Sequence, residues 1–316
     1  MYHRRFVSRA LLHNTNLEQL FLLFILPLFL TGCSSRAQQA NFDWKPIGDA
    51  IGKPGAVQPD GVYKIGLPRT DLHVTVNNVT VKPTLALGSW LAFRKMAAET
   101  MVMGDLVLTD DEVPPVMQKL QEGRFEITAL HNHLLNETPH IMYMHINGHG
   151  DALKLAQALH AALILSKTPL TAATPGQPPP QLDLDTKQLD QIMGRAGKVA
   201  DGVYQFAIPR SEKIFEGEMG RGAEPIPASM GLATAINFQP TDPGHAAVTG
   251  DFVLLAAEVN PVIETLRANG IAVTALHSHM LEDSPRLFFM HFWANDDAIT
   301  LARGLRAALD RTNSAK

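Results

Sequence analysis

Three histidines occur twice in this chain at one spacing. His131-x-His133 is followed by His145, and His277-x-His279 by His291. Neutral imidazole is a ligand for zinc, copper, iron and nickel. Residues two apart on a strand share a face, so His131 and His133 are expected to project together, about 6–7 Å apart. Asn136 to His140 fits a five-residue hairpin loop. That loop pairs Leu135 with Ile141, His133 with Tyr143 and His131 with His145. Three imidazoles then converge on one face of each copy's hairpin. The opposite face carries Leu130, Leu134, Met142, Met144 and Ile146, and in the second copy Leu276, Met280, Phe288, Met290 and Phe292. A one-residue slip would mix the two sets, so the apolar pattern supports this register.

A His-x-His pair on one strand with a third histidine on its neighbour resembles the zinc site of carbonic anhydrases and, more loosely, that of cupins. Three histidines with an open fourth position is the arrangement of catalytic rather than structural zinc. The resemblance implies a divalent metal, zinc first. Two carboxylates, Glu137 (matched by Asp283) and Asp105 (matched by Asp251), are candidate catalytic residues, as a ligand, an orienter or a general base. The alternative is a histidine network that only stabilises hairpins. Arg69 and Arg210, in matched Pro-Arg pairs, are weaker candidates to hold an anionic ligand. His73, His140, His149, His160 and His245 are not kept between copies and read as surface residues.

The elements that must position these residues are written twice. Residues 104–163 align with 250–309 at a constant offset of 146, and 26 of the 60 positions are identical. Such self-similarity marks a repeated folding unit. Within the first copy, Gly61–Leu67, His73–Val81, Ser89–Phe93 and Thr100–Leu108 alternate as strands do. Thr109-Asp110-Asp111-Glu112 predicts a capping box opening a helix to about Glu122. Strands follow at Phe125–Leu135 and Ile141–Asn147, then a helix over Asp151–Ile164 with one apolar face. The fold class is α+β: two tandem homologous units, each a mainly antiparallel sheet with two or three helices, able to pair about a pseudo-two-fold axis. Matched glycines, Gly52 to Gly55 and Gly194 to Gly197, lack Walker spacing and read as helix-ending turns.

The chain begins with a different signature. Arg4, Arg5 and Arg9 precede an apolar run, Leu20 to Leu30, that is too short to span a bilayer, which takes about 20 helical residues. A basic start and a short apolar run are the pattern of a signal peptide. Leu30-Thr31-Gly32-Cys33 resembles the lipobox of bacterial lipoproteins. The resemblance implies cleavage before Cys33, lipidation of its thiol and stable membrane anchoring through more than one acyl chain. Ser34 in place of aspartate leans towards the outer membrane, facing the periplasm, in a Gram-negative cell. Cys33 is the only cysteine, so no intrachain disulfide or cysteine nucleophile is available. The expected order is a signal peptide (1–32), a tether (33–43), unit 1 (44–167), a proline-rich linker (168–183) and unit 2 (184–316). The mature chain carries 24 Lys+Arg against 30 Asp+Glu, which argues against a nucleic-acid partner.

Gly104-Asp105, the string Ala129-Leu130-His131-Asn132-His133-Leu134-Leu135, Pro139 and Met144-His145 are similar to the lppY/lpqO family of bacterial lipoproteins. The similarity runs through both copies, with departures at Ser278 and Met280. It implies an envelope lipoprotein and carries no reaction with it. The expected function is a lipid-anchored envelope protein that binds a divalent metal or small polar ligand at the histidine hairpins. A metal-dependent hydrolase or lyase using the same histidines, and a metal-free structural protein, are the alternatives.

Overall fold

A computed structural model describes residues 42–171, 182–217 and 224–315. The signal-peptide, lipobox and tether readings, and most of the linker, fall outside these residues. Among the described residues no helix is long and apolar enough to cross a membrane.

In the first repeat a short helix, α1 (Lys45–Ile51), ends on Gly52, which takes the left-handed conformation at φ 90°. Gly194 ends the matching helix of the second repeat at φ 75°, so both glycines are helix-ending turns as expected. The first sheet is built from β1 (Ala56–Val57), β2 (Tyr63–Pro68), β5 (Gly88–Lys95), β6 (Thr100–Thr109), β9 (Ile141–Gly150) and β7 (Glu126–His131), in that spatial order. Every pairing in it is antiparallel. The predicted strand His73–Val81 is a hairpin instead, β3 (Val74–Val76) and β4 (Val79–Val81). Asn77 and Asn78 turn it with positive φ, which asparagine tolerates. One short helix, α2 (Pro83–Ala86), follows this hairpin.

Two longer helices cover one face of the sheet, α3 (Val113–Glu122) and α4 (Ala152–Leu163). Only half of the predicted capping box forms at α3: Glu112 accepts from the Thr109 N–H, while the Thr109 hydroxyl turns to Asp111. Asp151 caps α4 by accepting from the Lys154 N–H. Leu155, Leu159 and Ala162 of α4 pack with Leu106, Met144 and Ile146 in the core beneath.

The second repeat repeats the plan. Its sheet runs β10 (Lys198–Ala200), β11 (Val203–Pro209), β13 (Ala233–Pro240), β14 (His245–Leu255), β17 (Leu287–Asp297) and β15 (Ala272–His277). The helices α5 (Thr186–Met193), α6 (Ala256–Ala268) and α7 (Ala298–Leu309) cover one face of that sheet. Both repeats lie in one compact unit.

The uncovered faces of the two sheets meet. Ala92, Met101 and Met103 of the first repeat share a buried cluster with Met230, Val253 and Phe289 of the second. Val107 and Tyr143 share another with Ala247 and Trp293. The order of layers is helix, sheet, sheet, helix, and the sheet–sheet layer is where the histidines lie.

Arg69 and Arg210 are taken by the fold rather than offered to a ligand. Arg69 is fully buried and donates to Asp71, to Glu112 and to the Val107 carbonyl. Arg210 makes the matching set with Glu212, Glu258 and the Val253 carbonyl. Each guanidinium ties the residue after a strand to the start of a helix, and its donors are spent there.

Candidate metal centre

The hairpin differs from the expected register by two residues. His131 pairs with Tyr143, and Ala129 with His145, after a bulge between Ile127 and Ala129. The connection runs nine residues, 132–140. Part of it is strand: β8 (Glu137–Thr138) pairs with β3, and in the second repeat β16 (Asp283–Ser284) pairs with β12 (Phe215–Glu216). A slip of two keeps each side chain on its own face, so the convergence of the histidines survives the error. His133 lies beyond the end of β7 rather than on it. Leu130 and Leu276 are not core; they are 40% and 47% exposed, on strands at the sheet edges. Met144, Ile146, Met290 and Phe292 are core, whereas Leu134 and Met280 belong to the layer between the sheets.

All six histidines meet in that layer. Ring centroids of His131 and His277 lie 3.5 Å apart, those of His133 and His291 3.6 Å, and those of His145 and His279 3.8 Å. Within one repeat the imidazoles are wider apart, at 4.9 Å for His131 and His133 and 5.1 Å for His131 and His145. Three triples bring ligand atoms within 4.8 Å of one another: His131, His133 and His145; His131, His277 and His291; and His145, His277 and His279. Two of these draw on both repeats, and the second repeat's own triple is not one of them. The sequence pointed to a separate site in each hairpin; the fold makes one cluster.

Two threonines lock this arrangement. The Thr128 hydroxyl donates to the His279 carbonyl at 2.6 Å, and the Thr274 hydroxyl to the His133 carbonyl at 2.5 Å. Each histidine segment is thus pinned to the opposite repeat. Sequence reading passed over both threonines, although they stand in the repeated Thr-Ala-Leu-His string.

The carboxylates beside the rings are Asp105 and Asp251. Asp105 sits opposite His145 across β6 and β9, and Asp251 opposite His291 across β14 and β17. Asp105 Oδ2 is 3.8 Å from His133 Nε2 and 3.9 Å from His145 Nε2, and Asp251 Oδ2 is 3.3 Å from His279 Nε2. Glu137 faces His140, at 3.7 Å, and Asp283 is spent on Arg286 and the Leu287 N–H. Those two lie on the short strands β8 and β16 of the connecting segments, and Glu137 loses its candidacy as a base to Asp105. Gly104 and Gly250 sit in uninterrupted pairing with the strands on both sides. A Cβ on Gly250 would overlap the Ala235 carbonyl, so the neighbouring strand accounts for that glycine.

Burial dominates the electrostatics. It lowers the pKa of every cluster histidine, to about 2 for His131 and about 3 for His279. Neighbouring imidazoles add to the shift at His131, His133, His145 and His277, while the Gly231 backbone at His279 and Asp251 at His291 pull the other way. The rings therefore stay neutral, the form that ligates a metal. Burial, then repulsion from Asp251, pushes Asp105 up to about 8, with Lys64 pulling the other way. Burial pushes Asp251 up to about 6. His291 keeps one nitrogen fixed, its Nδ1 lying 2.8 Å from the Gly250 carbonyl, so Nε2 is turned inward.

Nine imidazole nitrogens of the cluster are buried with no hydrogen-bond partner: both of His131, His277 and His279, and Nε2 of His133, His145 and His291. Oδ1 of Asp105 and of Asp251 is in the same position. A buried polar group left unpaired costs about 1–3 kcal/mol, so such a concentration at one place needs an explanation.

Of the five unmatched histidines, His149 is more than surface. It bridges the repeats, 2.9 Å from Glu216 and 3.3 Å from Glu99. The hydrogen bond to Glu216 raises the pKa of His149 above the usual 6.5. Burial alone would raise Glu216, but its bonds to His149 and Asn147 outweigh that and hold it below 4.5. The histidine contributes stability that is full below about pH 6.5 and is lost as pH climbs through its raised value. The glutamate contributes stability that is lost as pH falls below about 4.5. The pair is expected to act most strongly between those values. His149→Gln should flatten the fall in the urea midpoint above pH 6.5; an unchanged pH profile would show that the bridge contributes nothing.

A family model described as Domain of Unknown Function (DUF1259) matches residues 45–164 and again 187–311. The chain belongs to this family, DUF1529. Its two matched segments coincide with the two sheets, so one DUF1529 unit is one sheet with its helices and half of the histidine cluster. No curated protein matched the chain. A trimeric bacterial microcompartment shell protein, PduB, aligns at 10% identity over 80% of this chain and 87% of its own, with a TM-score of 0.19. That score is too low to bear on fold or function.

Proposed function

We propose that this DUF1529 chain is a lipid-anchored envelope protein that binds a divalent transition metal, zinc first, at the histidine cluster. The observation that carries the metal reading is the set of nine buried imidazole nitrogens without partners. A purely structural network would pair them with each other or with backbone groups. A metal ion instead accepts several neutral imidazoles at once, and the cluster offers three-histidine sets of the size that zinc uses. Asp105 and Asp251 are carboxyl groups that a cation there would drive to release their protons, so metal binding should strengthen as pH rises through their raised values.

Protein purified without an affinity tag is expected to carry zinc or another transition metal, measured by elemental analysis. Metal held at 100 times its dissociation constant stabilises the fold by about 2.7 kcal/mol. Chelation should therefore lower the melting temperature by about 5 °C, at about 2.1 cal/mol/K of unfolding entropy per residue. Absence of both metal and shift sinks the reading in favour of a structural network.

The anchoring part of the proposal rests on Leu20 to Leu30 and the Leu30-Thr31-Gly32-Cys33 string. Cys33→Ser should move the protein from the membrane pellet to the soluble fraction and abolish labelling by a palmitate analogue. A variant that stays in the pellet and still takes label would refute lipidation at this thiol.

A further inference from the structure

The repeats share one cluster rather than holding one site each, and this changes what the cluster can bind. We propose that the six imidazoles and two carboxylates form a single centre for two metal ions, assembled from both repeats. The inference rests on the metal reading above and specifies it.

Three observations lead there. The first is the number of donors. Zinc in a protein takes four ligands. The cluster gathers buried His145, His279, His291 and Asp105 with half-buried His131, His133, His277 and Asp251, and one ion would leave half of the eight unused. The unpartnered atoms are spread over all eight residues. A single ion would satisfy one part of that set and strand the remainder.

The second is the division of the carboxylates. Asp105 lies against His133 and His145 of its own repeat, and Asp251 against His279 of its own. Each half of the cluster thus has its own carboxyl group, placed to give up its proton and ligate or offset one cation.

The third is the mixing of the imidazoles. Each of the three closest pairs of imidazoles joins one repeat to the other. His277 belongs to two triples, one with His131 and His291 and one with His145 and His279. Both nitrogens of His277 are buried and unpartnered, as are both of its counterpart His131. The reciprocal bonds of Thr128 and Thr274 hold the two halves in this interleaved position. Ligands for either ion therefore come from both repeats, and the ions are not independent.

The test is titration of the metal-stripped full chain with zinc, followed by native mass spectrometry for stoichiometry and calorimetry for affinity. The expected result is two zinc ions per folded chain. His277→Ala is expected to weaken both ions at least tenfold. Copper loaded to the same stoichiometry in the unaltered chain should give an electron paramagnetic resonance spectrum broadened by coupling between neighbouring ions. This readout needs no variant to fold. A chain that binds no zinc overturns the metal reading itself. One ion per chain overturns the two-ion centre and leaves the metal reading standing. Two ions, one of which keeps its full affinity in His277→Ala while the copper spectrum shows no coupling, would mean separate sites and overturn the shared centre.

Discussion

Arg69→Met is expected to lower the unfolding free energy by about 3–5 kcal/mol, the usual cost of removing one partner from a buried ion pair. Glu112 is almost as buried as Arg69, with side-chain exposures of 5% and 0%. The loss leaves that carboxylate, and in part Asp71, without a counter-charge. The Val107 carbonyl also loses its donor. Glu112 still accepts from the backbone at Thr109 and Lys167, so the helix start should hold while the strand end loosens. Urea unfolding followed by circular dichroism reads the effect. Adding Glu112→Gln should recover part of the loss, because it removes the stranded charge. Lys119→Met, which breaks an exposed pair with Glu122, is the control and should stay within about 0.5 kcal/mol. If Arg69→Met behaves like that control, the buried triad is not a pillar of the fold.

The second large effect is expected at Gly250. A methyl group there would overlap the Ala235 carbonyl, a backbone atom that cannot swing away as a side chain can. At Gly104 the same methyl would meet Leu91 at 2.9 Å and the Trp90 carbonyl at 3.0 Å, a tighter fit than normal but partly against a movable side chain. Forcing atoms into a packed interior typically costs about 1–3 kcal/mol. Gly250→Ala should reach the upper end of that range or pass it, and Gly104→Ala should cost less. The substitution also bears on the cluster. Gly250 precedes Asp251, and its carbonyl lies at the Nδ1 of His291. Gly250→Ala should therefore weaken metal retention as well as stability. Equal costs at the two glycines would contradict the difference in packing.

Much of the fold could be read from period and repetition. Alternation placed most strands of the first sheet, the repetition carried them to the second (at an offset of 146 from residue 104 onward), and Asp151 and Gly52 marked helix ends. The hairpin register was misread because β8 lies inside what looked like a turn, and only the partner strand β3 reveals it. The face assignment survived because a shift by two preserves parity. Leu130 and Leu276 failed the pattern for a different reason: alternation cannot tell that a strand lies at a sheet edge.

The site was half legible. Three histidines per copy were evident, and Asp105 was among the candidates. The meeting of the two sets was not, since nothing in either copy states which face of its sheet is left open to the other. Arg69 was misread for a similar cause. Its partner Glu112 is 43 residues away, and proximity in the chain gave no hint of it.

The interleaved histidines have a consequence for how the protein works when scarce. A centre made from halves of two separate chains would fall apart on dilution, because its assembly would depend on how often the halves collide. Here a single polypeptide carries both halves. The second half always meets the first at the high effective concentration that a short covalent connection imposes. Metal affinity should then be independent of how many copies of the protein a cell displays, and a break in either half should disable the whole.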